Sequence, residues 1–174
     1  MTATAPHQPD QERSDLIESL QTQRRFLRHT VEGLDDDAAA RRTTVSELCL
    51  GGLIKHVAQV EGNWARFIVE GPGAMPAFDE AAMAAHAAGF RVLEGETLAG
   101  ILAEYEEVAA RTDALVATIP SLDASHPLPE APWFPPGARR SARRVFMHIV
   151  AETAQHAGHA DIRREALDGQ KTMG

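Results

Sequence analysis

Four stretches of roughly twenty residues carry apolar side chains at three-, four- and seven-residue intervals, the repeat of a helix with one buried face. Glycine or proline closes each of them. The first is predicted from about Asp10 to Gly33, with Leu16, Leu20, Leu27, Val31 and Leu34 on its stripe and Asp10 as its cap. The second opens on Thr44-Val45-Ser46-Glu47, which has the form of a capping box, and stops at Gly71-Pro72. Its stripe is Leu48, Leu53, Val57, Val60, Trp64, Phe67 and Ile68. The third follows Thr97 and ends before Pro120, and the last spans about Ser141 to Leu167 before Gly169. One amphipathic helix cannot bury its stripe alone and four can, so the expected fold class is all-α, a four-helix bundle with long connections.

The connections are informative too. Asp35 to Arg42 reads as a short acidic turn, and Gly71 to Glu96 as a long link with a short helix over Asp79 to Ala88. Ser121 to Gly137 contains five prolines, which excludes regular helix or central strand there. No segment has the two-residue alternation of a strand. Trp133-Phe134 sits at the apolar tip of that loop, either docking on the bundle or closing over a pocket. Residues 1–9 are expected to be a disordered polar tail and residues 10–170 a single domain.

Composition excludes several functions. Seventeen Lys and Arg against 25 Asp and Glu give a net charge of −8, which repels a phosphate backbone, so no nucleic-acid partner is expected. No apolar run reaches the roughly 20 residues of a membrane span, and the start has no signal-peptide pattern, so a cytoplasmic location is expected. The single Cys49 rules out a disulfide scaffold and is expected to be a buried thiol. Arg139, Arg140, Arg143 and Arg144 crowd the start of the last helix, where cations oppose the helix dipole, and are expected to be solvated.

Eight histidines are the surplus to explain. His148, Glu152 and His156 are spaced by four, and His159 lies three further on, so all four run along one helical face beside Val145, Ile149 and Ile162. Such a row is either a solvated polar edge or a metal site, because two side chains at i and i+4 can grip one ion. His56, near the apolar face of the second helix, would complete a three-ligand set with Glu152 and His156, leaving positions open for water or substrate. Imidazole and carboxylate suit zinc, nickel or ferrous iron. Gln59 and Asn63 extend the polar edge from His56 and, with Trp133, are candidate pocket residues. His7, His29, His86 and His126 read as surface residues. Gly51-Gly52, within the second helix, signals either tolerated weakness or close approach by another segment.

Leu50-Gly51-Gly52-Leu53-Ile54-Lys55-His56-Val57-Ala58-Gln59-Val60-Glu61, followed by Trp64, resembles the second-helix signature of the DinB-like bundles. Glu152-Thr153-Ala154-Gln155-His156-Ala157-Gly158-His159-Ala160-Asp161 resembles their last-helix signature. The resemblance extends from about Asp15 to Gly169. It implies a four-helix bundle, often a homodimer, that holds one divalent metal on His56 and on an i, i+4 pair, here Glu152 and His156. That His-Glu-His set is the variant of mycothiol-dependent maleylpyruvate isomerase. His159 would stand behind the ligands or replace Glu152 among them. The resemblance further implies a low-molecular-weight thiol cosubstrate (mycothiol, bacillithiol or glutathione, with mycothiol favoured by an Ala- and Arg-rich composition) and a small-molecule electrophile. A transferase or isomerase in detoxification is thus expected, and the rival is a non-catalytic metal- or ligand-sensing protein.

Overall fold

The computed structural model describes residues 9–75 and 79–172. It is mainly helical: α1 (Pro9–His29), α2 (Asp36–Ala40), α3 (Leu50–Glu70), α4 (Glu80–Gly89), α5 (Leu98–Thr118) and α6 (Ala142–Asp168). A 3-10 turn, Gly71–Ala74, follows α3. The expected tail lies almost wholly outside the described residues, and Pro9 already begins α1. None of the helices is long and apolar enough to cross a membrane, among the described residues.

The four long helices pack on one another as their stripes require. α1 lies against α6 and α5, and α3 lies against α5 and α6. Two apolar clusters fill the space between them. One gathers Leu27, Leu50, Leu53, Ile54, Val57, Ile101 and Tyr105; the other gathers Leu20, Trp64, Phe67, Val116, Val145, Phe146 and Ile149. Between these layers runs a buried ionic link. Arg24 on α1 grips Glu61 on α3 through two nitrogens at 2.6 and 3.1 Å, and reaches Asp113 on α5 at 2.7 Å. Glu61 is wholly enclosed, so its charge is tolerated only because the guanidinium meets both carboxylate oxygens.

Local chemistry sets most helix ends where the sequence places them. Asp35, Asp79, Thr97 and Ser141 each accept a backbone N–H at the N-terminus of α2, α4, α5 and α6. Gly169, with φ of 82°, supplies the left-handed residue that ends α6. Three expectations need correction. The capping box at Thr44 does not start a helix: α3 begins at Leu50, behind Cys49, which makes no side-chain cap. Arg163 of α6 takes the Thr44 hydroxyl at 2.9 Å and the Ser46 carbonyl at 3.3 Å, and these tertiary bonds hold the segment as a loop. Ile162 is 63% exposed and does not belong to the apolar side of α6. Thirteen residues beyond Ile149 is about 3.6 turns, which brings Ile162 to the opposite side. The third correction is a short antiparallel ribbon, β1 (Ser125–Pro127) and β2 (Arg139–Ser141), in the proline-rich link. Three residues a strand leave no alternation to read, and Pro127 sits at the strand's end.

Candidate metal centre

His56 projects from the middle of α3, and Glu152 and His156 are one turn apart on α6. Because α3 and α6 pack together, the three side chains converge. The His56 Nε2 lies 3.7 Å and the His156 Nε2 3.3 Å from the same carboxylate oxygen, Glu152 Oε1. Two donors each about 2.1 Å from one tetrahedral ion stand about 3.4 Å apart, so the spacing fits a shared dication. One donor atom from each residue lies within 4.8 Å of the other two.

The protonation states suit the same purpose. The His156 and His56 imidazoles hold the Glu152 carboxyl far below its ordinary value, so it is ionised. Burial pushes His56 down against the pull of Glu152, favouring a neutral ring with a free lone pair. A neutral imidazole and an ionised carboxylate are donors that suit a divalent ion of borderline softness.

The remaining sequence candidates fall into place around this trio. His159 is exposed and outside the converging set; its Nδ1 lies 3.4 Å from His156 Nδ1, on the side away from Glu152. With its Nδ1 toward His159, His156 turns its Nε2 toward Glu152. Gln59, Asn63 and Trp133 line a cleft of 1440 Å³ over α3, which also meets His56 and His86. Cys49 is buried, its thiol 3.7 Å from the Phe90 carbonyl. His148 packs edge-on against Trp64, with ring centres 5.0 Å apart, and burial lowers its pKa. His7 lies outside the described residues.

One histidine differs from its surface assignment, and a second, exposed as expected, still reaches the site. His126 is partly buried on β1, its Nε2 donating to the Ile68 carbonyl at 3.2 Å. His86 is solvent-accessible, yet its ring centre stands 5.2 Å from that of His56. Phe90 stacks on His56 at 3.9 Å and 22°. His86 and Phe90 are four apart at the end of α4, the one signal that could have joined them to the site. The close approach is made by Gly52: a Cβ there would stand 2.0 Å from the Phe90 carbonyl oxygen.

A family model described as mycothiol-S-transferase matches residues 15–169. The chain belongs to that family. A search of curated proteins finds no match. Membership of the mycothiol-S-transferase family agrees with the DinB-like signatures on α3 and α6, the two helices that bring His56, Glu152 and His156 together.

Proposed function

We propose that this protein is a metal-dependent S-transferase or isomerase that activates a mycothiol-type thiol at His56, Glu152 and His156 and adds it to a small electrophile in detoxification. The fold unit is residues 10–170, a four-helix bundle of the DinB-like kind formed by α1, α3, α5 and α6. Convergence of both imidazoles on Glu152 Oε1 carries the reading, together with family membership.

Zinc is the proposed ion, because two imidazoles and a carboxylate leave the fourth position of its tetrahedron open to a ligand. Bound there, it supplies Lewis acidity that makes a thiol sulfur acidic enough to exist as thiolate near neutral pH. The protein's own part is positioning. Phe90 fixes the plane of His56 by stacking, His159 stands at the Nδ1 of His156, and ionised Glu152 offsets the ion's charge. The cleft beside His56 and His86 gives the electrophile access, and no protein cysteine is required.

Elemental analysis of purified protein tests the site first. The wild-type chain should hold one equivalent of zinc, and His56→Ala and Glu152→Ala should hold a tenth of that or less. Unchanged metal content in His56→Ala would sink the assignment. Consumption of mycothiol with an alkylating electrophile, abolished by a chelator, tests turnover. Tight metal and thiol binding with no turnover would assign the site to a sensor instead.

A further inference from the structure

The four arginines at the start of α6 do not behave alike. Arg139 donates to the Ser125 carbonyl at 2.6 Å. Arg143 is held by Glu12 at 2.5 Å and by Asp123. Arg140 and Arg144 have no carboxylate partner among the described residues. The Arg140 guanidinium lies over Trp64, 4.6 Å from the ring centre, and 5.4 Å from that of Phe134. Its Nη1 is enclosed by protein and meets no acceptor, while the side chain as a whole is half-buried and open to a ligand through the rest of the guanidinium. An enclosed charged donor without a partner is costly, and a fork of guanidinium N–H groups is matched best by a planar carboxylate. Arg144 adds a second uncompensated cation, and the first turn of α6 adds the positive end of its dipole.

Arg144 shares a face of α6 with Glu152 and His156 of the proposed metal-binding trio. Arg144, His148, Glu152 and His156 follow at four-residue intervals on α6, so the seam is continuous, with Arg144 about 12 Å along the helix axis from Glu152. Trp64 and Phe134, which contact Arg140, also line the cleft. Neither arginine lines the cleft itself, whose rim mixes charged side chains (Arg66, Glu70, Glu104, Arg111 and Glu130) with Val69, Met83 and Trp133, which are 64%, 58% and 61% exposed. Exposed apolar side chains gathered about a concave surface mark a ligand site.

We infer that Arg140 and Arg144 form an anion subsite, and that the electrophile is an acid with an apolar body, its carboxylate on the guanidinium pair and its body along the cleft. Calling that ligand the electrophile rests on the S-transferase reading; the subsite itself does not. It makes the enzyme selective for acidic acceptors and places their carboxylate about two helical turns from the trio.

Benzoate and its uncharged analogue benzamide are suitable probes, because Trp64 and Trp133 both border the cleft and report by fluorescence. Benzoate should quench saturably, with benzamide at least about tenfold weaker. Arg140→Gln and Arg144→Gln should each weaken benzoate about tenfold while leaving benzamide unchanged, and Arg140→Lys should recover part of the loss. Arg144 is exposed, so its substitution reads the charge without disturbing the contact of Arg140 with Trp64. Benzoate binding should persist in His56→Ala and in saturating mycothiol. Equal binding of benzamide and benzoate would overturn the subsite. So would loss of benzoate in His56→Ala but not in the arginine variants, since the carboxylate would then sit at the trio. Displacement by mycothiol would transfer the subsite to the thiol and overturn the assignment to the acceptor. Failure of the metal reading shows separately, as unchanged metal content in His56→Ala.

Discussion

Gly52 and Gly158 are both interior helical glycines, and they should respond to alanine in opposite ways. Alanine in place of glycine gains about 1 kcal/mol from helix propensity at either site. At Gly52 the new methyl group would lie 2.0 Å from the Phe90 oxygen and 2.3 Å from its carbonyl carbon, both rigid backbone. Overpacking of that kind typically costs about 1–3 kcal/mol, so Gly52→Ala should be destabilising and should push Phe90 off His56. At Gly158 a methyl group meets nothing within 4 Å, and Gly158→Ala should stabilise by up to about 1 kcal/mol. Urea denaturation of the two variants checks both signs. The same site shows what spacing could and could not tell: the glycine pair marked either weakness or close approach, and only the path of Phe90 over α3 decides for approach.

Among the elements, the link from Arg24 to Glu61 and Asp113 binds α1, α3 and α5 into one unit. Glu61→Ala leaves the enclosed Arg24 guanidinium with Asp113 as its remaining carboxylate and should cost about 3 kcal/mol, seen as a lower midpoint in the same denaturation. Surface pairs such as Arg111 with Glu107 should change stability by less than about 1 kcal/mol when broken. At the start of α6, Ser141 accepts the Arg144 amide at 3.2 Å, and Ser141→Ala should cost about 1 kcal/mol. Caps of this sort are readable from sequence because they depend on neighbours three residues away. The Thr44 box misleads for the complementary reason: its hydroxyl is claimed by Arg163, 119 residues along the chain.

For the molecule as a whole, the residues of the proposed metal site also set acid stability. In metal-free protein the folded value of His56 lies below its ordinary 6.5, so the unfolded chain takes up that proton first. Stability should therefore fall as pH drops from 6.5 toward the lowered value. Glu152 acts in a separate window: its depressed value stabilises the fold above 4.5, and that contribution is lost as pH falls further. Urea midpoints of the metal-free protein should thus decline between about pH 7.5 and 5.5, and His56→Gln should flatten the slope. A midpoint constant over that range would contradict the burial of a neutral His56.

The helix count and the capped starts of the short helices and of α5 and α6 are written in the sequence, because apolar period and capping chemistry act within a few residues. His56, Glu152 and His156 were legible as donors for the same reason, each on a helix face the period assigns. Their meeting at one carboxylate oxygen was not, since it depends on how α3 lies across α6. Nor was the fate of the four arginines, whose partners Glu12, Asp123 and Trp64 come from α1, a loop and α3. Phe90 and His86 reach His56 only because Gly52 lets another backbone touch α3. Local periodicity and capping therefore determine which residues could act, while long-range packing decides which of them stand together, because the distances between helices are set by side chains that the chain brings in from far away.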